Sequence, residues 1–197
     1  LDALPLPYDE VRVTGFRRLH RLIAGDGAGA VVLEVADGDG SSDDRGILST
    51  DLNSDGRYKD LLHVDGGVGS TGTAGVLRMQ GNLVFRHAVE KLADTAHRAL
   101  DKAGLSAGDV DWLVPHQANI RIIEAAAQRF GISMEKTVIN LDRYGNTSAA
   151  SIPLALAEAV QAGNIRDGEQ LVLAGFGGGL SWGAAALKWW GGANGRH

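Results

Sequence analysis

The sequence predicts a layered α/β domain, and three observations carry that reading. Short apolar runs of strand character alternate with segments whose apolar residues recur at helical spacing. The stretch Thr147 to Gln161 ("TSAASIPLALAEAVQ") has apolar residues on nearly every azimuth, and no internal repeat, linker or low-complexity block divides the chain. Strands alternating with helices build helix-covered sheets, and a helix too apolar for a surface belongs in a middle layer. At 197 residues, with 44% hydrophobic and 22% charged residues, the chain is long enough to bury such a core and too apolar for disorder.

Taken in order, Ala30 to Val35 ("AVVLEV") is a buried-strand candidate. After the polar turn "ADGDGSSDDRG", Gly46 to Leu52 ("GILSTDL") alternates like a second strand. Residues 53 to 76 are glycine-rich and unperiodic, which predicts a long surface excursion. Phe85, Val89, Leu92, Ala96 and Leu100 then mark a helix from Asn82 to Ala103 with one wet face, stopped by Gly104. "VDWLVP" reads as a short strand, "NIRIIEAAAQRF" as a helix closed by Gly131, and "KTVINL" as another strand. Pro153 removes a backbone donor from the Thr147 to Gln161 helix, predicting a kink or an early 3₁₀ turn. "EQLVLAGF" and "LSWGAAALKWW" close the chain as two strands around "GGG".

Composition excludes several functions. A net charge of −5 gives no bulk electrostatic reason to bind nucleic acid. No run approaches the roughly 18 apolar residues of a membrane span. Without a leader pattern at the start, the expected location is cytoplasmic. The absence of cysteine removes disulfides, thiolate metal sites and a cysteine nucleophile from these 197 residues.

Three motif look-alikes fail on context. "GDGAGA", Gly25 to Ala30, precedes a strand, whereas a dinucleotide fingerprint must open a helix. "DLNSDG", Asp51 to Gly56, starts like a calcium loop but has Leu62 where a bidentate carboxylate is required, so a solvated turn is expected. "GLSWG", Gly179 to Gly183, resembles a nucleophile elbow, yet only the terminal His197 follows Ser181. His20, His63, His87 and His97 lack metal-ligand spacing and are expected at the surface or satisfied in the core.

Three stretches remain as candidates, each with two readings. His116 in "DWLVPHQANIR" follows a strand end, where open α/β sheets meet ligands, or it is a core histidine bonded to backbone. Asn146 in "RYGNTSAAS" is a site residue or the N-cap of the following helix. The glycines of "AGFGGGLSWG" either let backbone N–H groups approach a ligand oxygen or simply form a hairpin turn.

"PHQAN", "YGNTSAAS" and "FGGGLSWG", in this order and spacing, with "GDGAGAVVL" upstream and "MQGNLVF" at residues 79 to 85, resemble β-ketoacyl-acyl-carrier-protein synthase III. The resemblance is to that family's C-terminal half and runs from about Gly25 to Trp189. Residues 1–24, with "VRVTGFRRLHRLIA", form an atypical segment outside the pattern, leaving 25–197 as a C-terminal thiolase-like half-domain. The resemblance implies the layered αβαβα thiolase fold and a decarboxylative condensation of an acyl-CoA primer with malonyl-acyl-carrier protein, the first step of type II fatty-acid synthesis.

By the same resemblance His116 and Asn146 are two members of a Cys-His-Asn triad whose cysteine lies in the other half. The Gly178 backbone N–H matches an oxyanion donor. Gly81, Phe85, Ala118 and Asn119 match the lining of the pantetheine tunnel, although Phe85 equally suits a core. Arg121 matches a contact to the acidic carrier protein, with Arg86 and Arg129 as extensions of a basic patch, a solvated helix face being the alternative for Arg129. No metal or redox cofactor is implied; coenzyme A and phosphopantetheine thioesters are substrates. The implied partners are acyl carrier protein, acyl-CoA, and a complementary N-terminal half or homodimer partner. Alternatives to the synthase are a non-catalytic binding half, a malonyl-thioester decarboxylase and a polyketide starter synthase. A half without its counterpart is further expected to expose an apolar face on the Thr147 to Gln161 helix.

Overall fold

The computed structural model describes residues 27–31, 33 and 38–190. Its centre is a four-stranded mixed sheet in the order β1-β6-β5-β4, formed by β1 (Gly46–Ser54), β4 (Trp112–Pro115), β5 (Gln170–Gly177) and β6 (Ser181–Lys188). β4 and β5 are parallel; β5–β6 and β6–β1 are antiparallel, with an irregularity in β1 between Ile47 and Ser49. A separate two-stranded hairpin pairs β2 (Leu62–Val64) with β3 (Leu77–Met79).

Side-chain alternation along the strands divides the interior into two cores. Leu113 of β4, Val172 and Ala174 of β5, and Ala184 and Ala186 of β6 face helices α1 (Gly81–Lys102) and α2 (Ile120–Phe130). Val114, Leu171 and Leu187 face the opposite way, against Ala155, Leu156 and Ala159 of α4 (Ser151–Gln161). A single short turn, α3 (Leu141–Tyr144), precedes α4. The result is a helix–sheet–helix sandwich, the layered α/β architecture expected.

Helix ends follow their local signals. Asn119 caps α2, its Oδ1 accepting the Arg121 N–H at 2.9 Å. Gly131, at φ +87°, ends the same helix in the left-handed conformation that glycine accepts without penalty. A 3₁₀ turn at Ser148–Ala150 leads into α4, so Pro153 falls in the first turn, where a missing N–H breaks no helical bond.

Six expectations need correction. "KTVINL" forms no strand: Thr137 makes one isolated bridge to Leu113, and the Asn140 N–H goes to the Gln117 side chain instead of a neighbouring strand. Residues 53 to 76 are not one surface excursion, since they include the end of β1, a 3₁₀ turn at Gly56–Leu61 and β2. Asp51 lies within β1, not in a solvated turn, and is 6% exposed. α4 is buried on one side only: Ile152, Pro153, Leu154 and Val160 are half-buried, and Ala157 and Gln161 are exposed. Gly27 and Gly29 lie close against Leu154 and Pro153, and the large exposed apolar side chains instead include Leu52 and the hairpin residues Val64, Leu77 and Met79. His63 is neither exposed nor satisfied, since its Nδ1 is buried without a partner among the described residues.

Of the first strand candidate, residues 32, 34 and 35 lie outside the described residues, and 30, 31 and 33 are in no strand. His20, His197, the 1–24 segment and residues 25 and 26 of "GDGAGA" also lie outside them. Among the described residues no helix is long and apolar enough to cross a membrane.

Candidate active site

Parallel pairing sets the location of the site. β4 and β5 run side by side with Pro115 opposite Ala174, and the His116 N–H continues the ladder to the Ala174 carbonyl at 2.8 Å. The residues after each strand therefore emerge at the same sheet end, the end where α/β sheets usually receive ligands. An open cleft of about 1280 Å³ lies there.

His116, Asn146, Gly178, Gly81, Phe85, Ala118, Asn119 and Arg121 all line this cleft. They come from four separate stretches of chain: the start of α1, the β4–α2 connection running into α2, the loop before α4 and the β5–β6 turn. Arg86 and Arg129 do not line it. Arg86 is exposed on α1, and Arg129 reaches Asp94 across the α1–α2 interface at 3.5 Å. The Arg121 guanidinium sits 5.7 Å from the Phe85 ring centroid, a cation–π distance that joins the cleft mouth to its apolar wall.

Histidine 116 is half-buried, and its Nδ1 lies 2.6 Å from the Ser151 hydroxyl. Nε2 has no protein partner among the described residues. Desolvation by burial holds the imidazole below its ordinary pKa, favouring the neutral ring. The side-chain contact is thus to a hydroxyl, unlike the backbone contact of a core histidine.

Asparagine 146 lines the cleft and is not the N-cap of the following helix, whose N-cap position is Ala150. Its Oδ1 accepts the Ser148 N–H two residues on at 2.9 Å, while Ser148 takes the unusual φ of +52°. A carboxamide also carries two N–H donors. Anchoring the oxygen leaves the Nδ2 group free to point elsewhere, so this local bond and ligand binding do not compete.

The β5–β6 turn passes close to the hairpin. A Cβ added at Gly178 would meet the Leu62 carbonyl at 3.0 Å, and Gly179 has φ +130°. Leu180, fully buried, exchanges backbone hydrogen bonds with Asp55 at 2.8 and 3.1 Å, which fixes the turn against the end of β1. Trp182 and His63 line the cleft with a buried ring nitrogen each, Nε1 and Nδ1, that has no partner among the described residues.

Sequence reasoning missed the support beneath these groups. Gln117 is completely buried; its Nε2 donates to the Pro115 and Val138 carbonyls at 2.8 and 3.1 Å, and its Oε1 accepts the Asn140 N–H at 3.0 Å. Asn140 continues to Glu158 at 3.1 Å, and Glu158 pairs with Arg143 at 2.6 Å. One buried amide thereby ties the segment carrying His116 to the segment leading to Asn146. A glutamine beside the histidine is visible in the sequence, but nothing local in it announces partners more than twenty residues away.

Residues 100–189 match the family model described as 3-oxoacyl-[acyl-carrier-protein (ACP)] synthase III C terminal. The chain is 69% identical over 168 residues to the β-ketoacyl-[acyl-carrier-protein] synthase III of Paracoccus denitrificans, covering 85% of this chain and 52% of that protein. The crystal structure of the corresponding synthase from Pseudomonas aeruginosa PAO1 superposes with a TM-score of 0.70 at 45% identity, over 75% of this chain and 45% of that one. The priming β-ketosynthase of the R1128 polyketide pathway gives 0.67 at 35% identity, over 73% and 45% of the two chains. The chain spans about half the length of the curated relatives it matches, and its fold is that of the thiolase-like synthases. Over the matched segment it is similar to the C-terminal part of β-ketoacyl-[acyl-carrier-protein] synthase III.

Proposed function

We propose that this chain supplies the histidine–asparagine half of the site for the decarboxylative condensation that starts fatty-acid synthesis. In that reaction an acyl group held on a cysteine is attacked by the carbanion left when a malonyl thioester loses carbon dioxide. Electron density builds on the malonyl thioester oxygen as the C–C bond breaks, and donors aimed at that oxygen lower the barrier. His116 Nε2–H and the Asn146 amide are the two donors, and no metal or redox cofactor takes part. The Gly178 N–H serves the other oxygen, that of the acyl thioester during transfer. The apolar wall at Phe85, with Gly81, Ala118 and Asn119, takes the pantetheine arm. Arg121 and Arg86 face the acidic carrier protein, with Arg129 at the edge of the same patch.

The observation that supports this reading best is the convergence of His116 and Asn146, thirty positions apart, on one open cleft, with the His116 Nε2 unpartnered among the described residues. A decarboxylase or a binding half without turnover is the second reading, because these 197 residues hold no cysteine to carry the primer. The test supplies the N-terminal half of a relative, its cysteine replaced, and follows malonyl-thioester decarboxylation. His116→Ala and Asn146→Ala should each slow it by about a hundredfold, the scale for losing one preorganised donor. Unchanged rates in both variants, with folding intact, overturn the donor roles. A complemented chain that never decarboxylates leaves the binding-half reading in their place.

A further inference from the structure

We propose that Ser151 is a positioning residue that fixes His116 as its Nε2–H tautomer by donating its hydroxyl proton to Nδ1. The functional consequence rests on the donor role given to His116 above; the tautomer itself does not.

Ser151 opens α4 and is 1% exposed, so its hydroxyl must find its partners within the protein. Two groups lie within hydrogen-bonding distance: the Gln117 backbone N–H at 3.2 Å and His116 Nδ1 at 2.6 Å. A serine hydroxyl has one proton to give and two lone pairs to offer. The Gln117 N–H can only donate, so it takes a lone pair. That leaves Nδ1 as the one acceptor for the hydroxyl proton among the described residues.

The opposite assignment fails on the same count. If Nδ1 carried the ring proton, both contacts would donate to Oγ and the serine proton would be left buried without an acceptor, at the cost of a lost hydrogen bond. With Nδ1 accepting, every group is satisfied and the neutral ring carries its proton on Nε2. Burial, which lowers the His116 pKa, keeps the ring in the neutral state where this choice exists.

The geometry is held from below. Gln117, whose N–H occupies the serine oxygen, is clamped by its own side chain to residues 115, 138 and 140. The serine therefore works between two fixed neighbours, with its proton left for Nδ1. Its position, 35 residues beyond His116, carries no periodic or motif signal that would expose the pairing in the sequence.

The test reads the ring nitrogens directly. The 197-residue chain, labelled with ¹⁵N at histidine, is examined by magic-angle-spinning NMR near neutral pH, which does not require a monodisperse sample, and His116→Ala assigns the signal. We expect a protonated Nε2 and a bare Nδ1 in the wild type. In Ser151→Ala, a small residue for a small one at a helix start, the ratio of Nε2–H to Nδ1–H should fall by about fivefold, the effect of losing one hydrogen bond. A wild-type ring protonated at Nδ1 overturns the proposal, and so does an unchanged ratio in Ser151→Ala. Should His116→Ala leave decarboxylation unaffected while the wild-type ring is Nε2–H, the catalytic reading fails and this inference stands.

Discussion

Two polar clusters lie on opposite faces of the sheet, and they end differently. Between β1 and α1, the Asp51 carboxylate receives Asn53, Thr95, Arg98 and Lys102, at 2.7 to 3.0 Å. Between the end of β4 and α4, Gln117, Ser151 and His116 form a neutral network that finishes at an imidazole nitrogen with no partner among the described residues, in a ring that lines the cleft. The first cluster is closed and the second is open at one end. A closed network fastens a strand to a helix; an open one leaves a ring nitrogen available at the cleft.

The largest effect should come from breaking the open network at its root. Gln117→Leu removes three hydrogen bonds from a fully buried side chain and strands the Asn140 N–H and two carbonyls. We expect a loss of about 3 kcal/mol or more, at ~1 kcal/mol for each bond with an added penalty for groups left unsatisfied. The urea midpoint of the chain measures it, and a shift no larger than that of a surface variant would show that the clamp is dispensable.

Asp51→Ala should cost less, about 2 kcal/mol, because Arg98 and Lys102 are half-exposed and rehydrate, while Thr95 keeps the Asp51 carbonyl at 3.1 Å. The His116 ring signals should not move, since the two clusters share no residue. Acid separates them further. Burial alone would raise the Asp51 carboxyl, but hydrogen bonds from Lys102, Thr95, Asn53 and Arg98 outweigh it and hold the group well below the usual carboxylate range. A carboxyl with a depressed folded pKa stabilises the fold above its unfolded value of about 3.9 and loses that contribution as pH falls below it. His116, depressed by burial, stabilises above its unfolded value of about 6.5 and weakens the fold first as the solution is acidified. Stability against pH should thus decline in two windows, the upper one flattened by His116→Ala and the lower by Asp51→Ala.

The smallest effect belongs to Arg129→Gln. Its contact with Asp94 is 3.5 Å long between two largely exposed side chains, a kind of pair that often contributes nothing measurable. No resolvable shift in the urea midpoint is expected, and a clear one would assign Arg129 to the α1–α2 packing.

Legibility in the sequence followed the range of the interactions involved. α1 was readable because Leu92, Ala96 and Leu100 face one core at helical spacing, and β5 because its apolar run is buried on both faces. The β2–β3 hairpin was not, since its strands have three residues each and expose Val64, Leu77 and Met79, so no burial pattern marks them. "KTVINL" looked like a strand because Val138 and Ile139 are apolar; its backbone is instead satisfied in part by Gln117, a partner no local pattern reveals. The same holds at the cleft. His116, Asn146 and the glycine turn stood out by motif, whereas Ser151 is one small residue among several in "TSAAS" until the fold sets it beside the imidazole.

Strand β5 serves two cores at once, with Val172 and Ala174 on one side and Leu171 and Leu173 on the other. A gain or loss of a single residue would exchange these sets, since the side-chain period of a strand is two. It would also carry the glycine turn one pleat along relative to His116, disturbing both cores and the cleft together. Replacement of one of these residues by another of similar size acts on one core alone. Genetic drift in this strand should therefore proceed by substitution at constant length, and insertions and deletions should gather in the largely exposed stretch 66–75 between β2 and β3.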